Sequence, residues 1–335
     1  MTRFKTCLLG LALVFLTNPL TVHATEVCEN PQFEKDLEPW TLIKGDGMDV
    51  KYVTIDDLPG TKGGVHANVT KPQPKASYRC GLQQITSMFI PKDAAMKLTF
   101  QAKGDPGKQV RFNIQTNGHP WDTTLATPYV KLTNEWKSYT FEGKAKRDYA
   151  PGDLRVYALF GLDAGELTIT DIHLEVEGAG LAPAGQAINP NATFAHKNSN
   201  WWYNSKKMDM KLLKDGSEDY IQFTTKDIDP KKRWEASLSE RIYTALPKDS
   251  KVKLVAVMRS PTQGAKIDLF LQGKGGHKER LINAAGIKLT DTWETYEFNA
   301  TMDKDYEPRE CTITSLLGYM DQIIEIKSIT LSFSE

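Results

Sequence analysis

The sequence predicts an all-β protein that consists of two β-sandwich (jelly-roll) domains in tandem. Three observations predict this fold class: a long internal repeat, an alternation of apolar and polar residues inside each copy, and turns rich in Gly, Pro, Asn and Asp between the alternating runs. The chain has 335 residues, the length of two domains of roughly 100–200 residues each. Many short strands separated by such turns are typical of sandwiches and jelly rolls.

The repeat is visible in landmarks that return at a nearly constant distance. The segment Ile-Pro-Lys-Asp at 90–93 returns as Leu-Pro-Lys-Asp at 246–249, an offset of 156 residues. The segment Leu-Thr-Asn-Glu-Trp at 132–136 returns as Leu-Thr-Asp-Thr-Trp at 289–293, an offset of 157 residues. This period is far longer than the few tens of residues of a solenoid unit, so each copy is expected to have its own core.

Alternation with period two marks the strands in both copies. In the first copy it runs through residues 96–103, 110–115 and 167–174, and in the second copy through residues 267–272 and 324–331. Because successive side chains of a strand point to opposite faces of a sheet, each run is expected to bury one face and expose the other. Helical periodicity is scarce along the chain, which also favours the all-β class.

The division of the chain follows from the repeat and from local composition. The first copy spans residues 26–177 and the second copy spans residues 187–335. Residues 178–186 between them are small and rich in Gly and Pro, and they have no periodicity. Such composition is expected of a linker between two domains.

The first 24 residues have the pattern of a secretory signal peptide. Arg3 and Lys5 make a positive start, residues 7–16 form an apolar run, and residues 22–24 are a small-x-small cleavage site. The apolar run is shorter than the about 20 residues that a membrane-spanning helix needs. The sequence therefore predicts a soluble protein that is exported, either secreted or periplasmic.

Charge is balanced over the whole chain, with 42 basic and 42 acidic residues. Proteins that bind nucleic acid or anionic membrane surfaces carry a basic excess, so the balance argues against both kinds of partner. It suits a neutral ligand or a large interface, without selecting either of them.

Three cysteines, Cys28, Cys80 and Cys311, follow the signal segment. Export permits disulfide bonds, and an odd number leaves at least one thiol without an intramolecular partner. Cys28 and Cys80 both fall in the first copy, and both are missing at the matching positions Asn189 and Ala236. Joint loss is what a bonded pair would show, so a Cys28–Cys80 disulfide is one expectation and two independent buried thiols are the other. Cys311 is expected to be a buried free thiol.

Both copies contain the same ordered series of short motifs. Each opens with Asn-x-x-Phe and a later Trp, then has an aromatic-led strand, an apolar-Pro turn, a Leu-Thr-x-x-Trp-x-x-Tyr block and a Gly-containing strand. In the first copy the landmarks are Asn30, Phe33, Glu34, Trp40, Tyr78, Pro91, Leu132, Trp136, Tyr139 and Gly161, and in the second copy Asn191, Phe194, Trp201, Trp234, Pro247, Leu289, Trp293, Tyr296 and Gly318. With this series, each copy resembles the carbohydrate-binding modules of the CenC type, the group that joins families 4 and 9.

The resemblance implies a jelly roll that binds polysaccharide or oligosaccharide and assists enzymes without catalysing a reaction itself. Sugar rings present an apolar C–H face and a rim of hydroxyls. A carbohydrate site therefore needs flat aromatic side chains with amide or charged groups beside them. In a sandwich, the outward positions of the strands on an exposed face supply both kinds of group.

In the first copy, the candidate carbohydrate-binding residues lie on one outward strand face and in the loop after it. Arg111, Asn113 and Gln115 alternate with apolar residues, and they are followed by Trp121 in a Gly/Pro turn, with Tyr129 as a weaker companion. A large aromatic side chain in such a turn has less reason to be core than one in a strand, whereas polar outward residues are also ordinary for a solvated face. Trp121 is therefore the predicted platform of this copy.

In the second copy, the matching candidates are Phe270 and Gln272, with Asp268 on the same face. Phe270 alternates out of register with the apolar set, so it is expected to be exposed on the sheet unless another segment covers it. The two copies should therefore bind different ligands, or one of them has lost binding. Tyr78 and Trp234, which lead an earlier strand, either line the same face or pack in the core.

Four tryptophans recur at matched positions, Trp40 with Trp201 and Trp136 with Trp293. Recurrence at matched positions predicts aromatic side chains that stabilise the fold, so all four are expected in the cores. Trp202 has no counterpart in the first copy, and it is expected either in an exposed patch or between the domains.

The resemblance also implies a structural Ca²⁺ in the first module. Family members often hold the ion with the opening Glu, which corresponds to Glu34, and with an Asp of the last strand, at whose position this chain has Thr170 with Asp171 next to it. Calcium needs several oxygen ligands, and backbone carbonyls would complete the site. In the second copy Ala195, Lys327 and Ser328 stand at these positions, so no calcium is expected there.

No catalytic motif supports an enzyme. Gly-x-Ser-x-Gly, His-Glu-x-x-His, Cys/His zinc spacings and phosphate-binding loops are all missing from the sequence. The leading hypothesis is therefore a secreted, non-catalytic polysaccharide-binding protein, with a partner enzyme or a cell-surface protein as further partners. A glycosidase or lyase is the first alternative, because its two carboxylates need only lie roughly 5–10 Å apart. An adhesion or structural protein is the second.

Overall fold

The structure is a computed structural model that describes residues 23–34 and 36–335. The predicted signal segment, residues 1–24, lies outside the described residues except for His23 and Ala24. No helix in the described part of the chain is both long enough and apolar enough to cross a membrane.

Residues 24–177 form the first group of strands and one 3-10 helix, Pro74–Arg79. The strands are β1 (Ala24–Glu26), β2 (Thr41–Ile43), β3 (Met48–Thr54), β4 (Gly63–Val69), β5 (Gly81–Ile85), β6 (Ala95–Gly104), β7 (Gln109–Thr116), β8 (Thr123–Ala126), β9 (Val130–Lys131), β10 (Lys137–Lys144), β11 (Leu154–Leu159) and β12 (Gly165–Glu177). They build two antiparallel sheets, β10-β6-β12-β4-β3 with β1 beside β12, and β2-β5-β11-β7-β8 with β9 beside β7. Consecutive strands change repeatedly from one sheet to the other, as in a jelly roll.

Residues 201–333 form the second group of strands and two 3-10 helices, Pro230–Glu235 and Gly276–Lys278. The strands are β13 (Trp201–Tyr203), β14 (Met208–Asp215), β15 (Glu218–Thr225), β16 (Ser237–Arg241), β17 (Lys251–Arg259), β18 (Lys266–Gln272), β19 (Arg280–Lys288), β20 (Glu294–Thr301), β21 (Thr312–Leu316) and β22 (Ile323–Phe333). Their antiparallel sheets are β13-β16-β21-β18-β19 and β14-β15-β22-β17-β20. The predicted fold class, two β-sandwiches in tandem, is confirmed.

Each sandwich buries the inward positions that the alternation predicts. In the first sandwich, β6 and β7 belong to opposite sheets, and Phe100 and Phe112 on them meet across the core with ring centroids 4.5 Å apart. Of the outward positions of β6, Lys97 is exposed, and Thr99, Gln101 and Lys103 are half-buried. Burial of apolar area at about 25 cal/mol per Å² drives this packing, so the period of the sequence decides which face is inward.

A glycine that recurs in both copies fixes the position of a 3-10 helix. A Cβ atom on Gly161 would lie 2.8 Å from the carbonyl oxygen of Ser77, and one on Gly318 would lie 2.7 Å from that of Arg233. Both carbonyls belong to the 3-10 helix that precedes β5 or β16. Only glycine permits this approach, because the obstacle is backbone and cannot rotate away.

The four recurring tryptophans divide into two pairs. Trp40 and Trp201 are 4% and 3% exposed, so their prediction as core residues is right. Trp136 and Trp293 are only partly buried, and the prediction that they belong to the cores is wrong. Their indole N–H groups instead donate to surface carboxylates, Trp136 to Asp57 at 3.0 Å and Trp293 to Asp215 at 2.8 Å.

In each sandwich, a lysine and the partly buried tryptophan hydrogen-bond the same surface carboxylate. Lys103 and Trp136 both hydrogen-bond the Asp57 carboxylate, and these bonds lower its pKa below the usual value. In the second sandwich, the hydrogen bonds of Trp293 and Lys327 lower the pKa of Asp215 in the same way. Trp136 and Trp293 therefore recur because this hydrogen-bonded surface group is repeated, and not because a core contact is repeated.

All three described cysteines are buried free thiols, so the expected Cys28–Cys80 disulfide is not formed. Cys28 follows β1 beside β12, where its neighbour Glu29 is hydrogen-bonded to Gln84 of β5 at 2.8 Å. Cys28 is therefore near Gln84. Cys80 precedes Gln84 by four residues, which separates Cys80 from that end of the strand by about 13 Å. A disulfide needs Cα atoms roughly 4.4–6.8 Å apart. Burial raises the pKa of the Cys80 thiol to about 11 and that of Cys311 to about 12.

The segment predicted as a linker is bonded to both sandwiches. Gly180 exchanges two backbone hydrogen bonds with Phe89, and Gly185 donates to the carbonyl of Phe333 at 2.9 Å. Ala179 and Ala182 are buried. The Gly/Pro-rich composition therefore gives an irregular segment that packs against its neighbours.

We expect the chain from Thr25 onward to show three free thiols when it is unfolded without reductant. Cys28, Cys80 and Cys311 are unbonded and protonated at neutral pH, and unfolding exposes them to reagent. Thiol titration in denaturant would measure the count, and the folded protein, whose thiols are buried, should react slowly. A count of one would instead support the Cys28–Cys80 bond.

Trp40→Ala and Trp136→Ala should differ in their effect on stability. Removal of the buried Trp40 ring leaves a cavity and is expected to cost about 3–5 kcal/mol of unfolding free energy. Removal of the partly exposed Trp136 ring loses one hydrogen bond and some apolar burial, about 1–2 kcal/mol. Urea unfolding of the two variants would measure the difference, and equal costs would place Trp136 in the core after all.

Candidate functional site

The outward face of the sheet β2-β5-β11-β7-β8 carries a cleft of about 840 Å³. It is bounded by the 3-10 helix Pro74–Arg79, by the turn before β8 and by the segment after β2. The residues that line it are Ile43, Lys44, Gly45, Ser77, Tyr78, Arg79, Arg111, Asn113, Gln115, Trp121, Tyr129, Arg155, Tyr157 and Leu159. Aromatic, arginine and amide side chains thus dominate the lining.

The alternation of β7 and β11 sets the floor of the cleft. The inward residues of β7, such as Phe112 and Ile114, are fully buried, so the residues between them must face outward. Antiparallel pairing then places Asn113 opposite Tyr157 and Gln115 opposite Arg155. The polar groups of the floor are therefore held by two strands whose other faces lie in the core.

Three exposed aromatic side chains surround this floor. Tyr78, Trp121 and Tyr129 are 54%, 48% and 39% exposed. Trp121 has a φ of +63°, a left-handed conformation that costs an ordinary residue about 1–2 kcal/mol. Its N–H donates to the carbonyl of Gly118 at 2.8 Å, which closes the turn. The turn thus holds a large aromatic ring in solvent at an energetic cost, as is frequent at binding sites.

Two arginines of the floor stack against aromatic rings. The Arg155 guanidinium lies 4.6 Å from the centroid of Trp121 and 4.4 Å from that of Tyr157. Arg111 lies 5.3 Å from the centroid of Tyr129. Such cation–π contacts are worth about 0.5–2 kcal/mol each and fix the orientation of both partners.

Burial shifts the pKa of two of these groups, Arg155 and Tyr157. Desolvation lowers the pKa of Arg155 and raises the pKa of Tyr157 to about 12. Arg155 donates from Nη1 to Oε1 of Gln83 at 2.6 Å, and the Tyr157 hydroxyl donates to the carbonyl of Tyr78. Tyr157 is therefore a neutral hydrogen-bonded group at neutral pH, and it ties the 3-10 helix to β11.

Three polar atoms in the cleft are buried without a hydrogen-bond partner in the described structure: Nε of Arg111, Nε of Arg155 and Oδ1 of Asn113. The amide of Asn113 donates to Oε1 of Gln115 at 3.1 Å, which uses only its nitrogen. Buried polar groups are usually paired, and each exception calls for an explanation. Arg111, Asn113 and Arg155 are only half-buried as residues, so a ligand with hydroxyl or charged oxygen groups would meet the accessible parts of these side chains.

The structure brings the predicted residues of the first copy together. Trp121, Arg111, Asn113, Gln115 and Tyr78 all line the cleft, and so does Tyr129. Sequence reasoning missed the β11 contributions, Arg155 and Tyr157, although Leu154, Val156 and Ala158 alternate with them as a buried set. That alternation was a usable signal. Arg79 lies on the 3-10 helix and Lys44 lies in the irregular segment after β2, where no periodicity identifies either residue.

The second sandwich presents a different face at the equivalent sheet. Phe270, which was predicted to be exposed, is only 1% exposed. The guanidinium carbon of Arg280 lies 3.6 Å from the centroid of its ring and covers it. Gln272 donates from its amide to the hydroxyl of Thr314 at 3.2 Å. The prediction of Phe270 as an exposed platform is therefore wrong, because a neighbouring strand supplies a cover.

Asp268 closes another part of this face. Its carboxylate accepts from the Tyr319 hydroxyl at 2.6 Å and from the N–H of Gly286 at 2.8 Å. It also pairs with Arg233 at 2.9 Å. Asp268 occupies the position that Arg111 has in the first copy, at the offset of 157 residues. Trp234, which matches Tyr78, remains 61% exposed on its 3-10 helix.

The residues proposed for calcium have unequal surroundings. Asp171 sits in a bulge of β12 with a φ of +50°, and one of its oxygens accepts from the Thr61 hydroxyl at 3.0 Å. The other oxygen is buried without a partner in the described structure. Glu34 is exposed, and its carboxylate lies 4.0 Å from Lys62. No cluster of three His, Cys, Asp or Glu residues that could hold a metal occurs in the described residues.

No protein-family model and no curated protein matches this chain. Among solved structures, the chain is similar to the tandem CBM22-1–CBM22-2 domain of Paenibacillus barcinonensis Xyn10C, with 11% identity over 94% of this chain and 99% of that one and a TM-score of 0.36. A CBM4 module is 23% identical over 43% of this chain and 99% of its own, with a TM-score of 0.35. TmCBM61 in complex with β-1,4-galactotriose is 16% identical over 45% and 97%, with a TM-score of 0.33. These likenesses are distant, so the function is argued from the cleft.

Proposed function

We propose that this protein binds a polysaccharide or oligosaccharide in the cleft of the first sandwich and catalyses no reaction there. One observation carries the proposal: Tyr78, Trp121 and Tyr129 are exposed around a floor of arginine and amide groups. Exposed aromatic rings favour the apolar faces of sugars, and the floor offers donors and acceptors to their hydroxyls. The cleft is also large enough for several sugar rings, since ligand sites are usually about 300–1,000 Å³.

Binding suits this cleft better than glycoside hydrolysis. Hydrolysis needs two carboxyl groups flanking the bond that is cleaved. The lining residues, all within the described chain, include neither Asp nor Glu. The lining of the cleft therefore favours a carbohydrate-binding module. We propose the CenC type, which the sequence resembles, as the type of this module.

The second sandwich is proposed to have a different role. Arg280 covers Phe270, and Asp268 holds Arg233 and Tyr319 across the equivalent face. A ligand that stacks in the first sandwich would find the ring at Phe270 covered there, and the exposed rings lie elsewhere, Trp202 on the edge strand β13 and Trp234 on the 3-10 helix. We propose that this module binds another ligand or partner, or supports the first module.

The signal pattern at 1–24 supports the proposal that the protein works outside the cytoplasm, secreted or periplasmic. Polysaccharides that need a binding module are met in those compartments. A partner enzyme or a cell-surface protein would then act on, or carry, the bound chain.

A glycan array read together with a reducing-sugar assay tests the class of function. Binding without release of sugar is the expected result. Release of reducing ends would favour the glycosidase or lyase alternative. Absence of both would contradict carbohydrate binding and favour a protein that adheres to other proteins.

Trp121→Ala should weaken binding of the glycan that the array identifies. A stacked sugar replaces water over one aromatic face, so its loss should cost about 1–3 kcal/mol, by analogy with the burial of an aromatic face. The thermal midpoint should change little, because Trp121 is outside the core. Titration calorimetry and thermal unfolding measure the two effects.

Trp234→Ala is the matched control for this variant. Trp234 is 61% exposed, on the 3-10 helix Pro230–Glu235 of the second sandwich, and it does not line the cleft. Its removal should leave the affinity unchanged. The assignment of Trp121 fails if Trp121→Ala unfolds the first sandwich or if both variants bind with the affinity of the parent protein.

We also propose a structural Ca²⁺ in the first sandwich, held by Asp171 with Glu34 and nearby backbone carbonyls. The buried unpaired oxygen of Asp171 supports it, since hard cations prefer such donors. Calcium at 100 times its dissociation constant should stabilise the fold by about 2.7 kcal/mol. Thermal unfolding with calcium and with chelator measures this, and Asp171→Asn should abolish the difference. A midpoint that calcium leaves unchanged would contradict the site.

A further inference from the structure

The cleft of the first sandwich carries positive charge that nothing in it neutralises. Arg79, Arg111, Arg155 and Lys44 line it, and the lining contains no acidic residue. Within the described chain, the arginines with a carboxylate inside 4.0 Å are Arg147, Arg233, Arg259 and Arg309. The cations of the cleft therefore have no protein counter-ion at that distance.

Leaving these arginines unpaired is costly where they are partly desolvated. Nε of Arg111 and Nε of Arg155 are both buried without an acceptor, and burial lowers the pKa of Arg155. A buried polar group without a partner destabilises the folded protein, because it has lost its hydrogen bonds to water. A bound anion would pair with the accessible parts of these half-buried guanidinium groups and neutralise their charge, whereas a neutral sugar would supply only hydroxyl acceptors.

The second sandwich shows how the same position looks when the protein neutralises it. Asp268 replaces Arg111 and pairs with Arg233 at 2.9 Å. The whole-chain balance of 42 basic and 42 acidic residues therefore does not describe each face. At this position the first face is cationic, whereas Asp268 makes the second face acidic and pairs it with Arg233.

The spacing of the two arginines points to more than one charge on the ligand. Arg111 pairs with Leu159 across β7 and β11, and Arg155 lies four residues from Leu159 on the same strand. At strand spacing this separates the two backbone positions by about 13 Å. At this separation Arg111 and Arg155 can hold two different oxyanions, as a chain that carries charge on separate residues would present them.

We propose that this cleft binds an anionic polysaccharide, whose carboxylate or sulfate groups are held by Arg111 and Arg155 while its sugar rings stack on Trp121, Tyr78 and Tyr129. The guanidinium fork matches the geometry of such oxyanions and donates two hydrogen bonds to each. The inference rests on the proposed carbohydrate binding, and it names the class of polymer that the same site takes.

The test uses matched pairs of polymers that differ only in charge. The pairs are polygalacturonate and its methyl ester, glucuronoxylan and unsubstituted xylan, and carrageenan and desulfated carrageenan. We expect at least one charged polymer to bind about tenfold or more tightly than its neutral counterpart at low salt. That preference should shrink at about 0.5 M NaCl, where the screening length is only a few Å. The first two pairs report carboxylate recognition, and the third reports sulfate recognition.

Arg111→Gln and Arg155→Gln should each weaken the charged polymer several-fold and bring its affinity toward that of the neutral one. Arg111→Lys should restore part of the loss, because it keeps the charge but not the fork. Lys137→Gln on β10, which removes an exposed cation from the opposite sheet of the first sandwich, is the matched control and should have no effect. Thermal unfolding of each variant shows whether the fold is retained.

The outcomes separate this inference from the proposed function. If neutral polymers bind as tightly as charged ones and salt has no effect, the anionic class is wrong but carbohydrate binding stands. The same holds if Arg111→Gln and Arg111→Lys bind like the parent. If no polymer binds, both proposals are overturned. If a polymer binds and Trp121→Ala binds it as well as the parent protein, carbohydrate binding stands but its assignment to this cleft is wrong, and the anionic inference falls with that assignment.

Discussion

The inward faces of β7 and β11 hold the cleft of the first sandwich in place. Phe112 and Ile114 on β7 and Val156 on β11 are fully buried, and every outward residue of the floor lies between two such neighbours. A slip of one residue in either strand would exchange the core set for the cleft set, which makes the register energetically unambiguous. Hydrophobic packing on the inward side of β7 and β11 therefore fixes the positions of the side chains that form the floor of the cleft.

That dependence explains which parts of the site could be predicted from the sequence. Alternation assigns Arg111, Asn113 and Gln115 to the outward face, and an aromatic residue in a Gly/Pro turn identifies Trp121. The same rule predicts Phe270 as exposed, and there it is insufficient. Whether an outward ring is open depends on the strand beside it, and the pairing of β18 with β19 brings Arg280 to Phe270. Single-strand periodicity contains no information on such cross-strand neighbours.

Recurrence between the copies has a similar limit. Trp40 and Trp201 recur because both fill a core, whereas Trp136 and Trp293 recur because both donate to a surface carboxylate. A repeated residue shows that an interaction is repeated, but the sequence does not say whether it is buried. Cys28 and Cys80 illustrate the converse, because their joint absence from the second copy reflects two separate buried positions.

The glycine at 161 connects the backbone of the sheet to a side chain that the ligand would touch. Gly161 lies against the carbonyl of Ser77, one residue before Tyr78, and the Tyr157 hydroxyl anchors the carbonyl of Tyr78 itself. Any side chain at 161 would push this 3-10 helix outward and move one aromatic wall of the cleft. The module could in that way lose its ligand through a change at a residue outside the cleft lining, while both sheets and the core stayed intact. A mutation at Gly161 can therefore lower the affinity, although a map of ligand contacts would not include this residue.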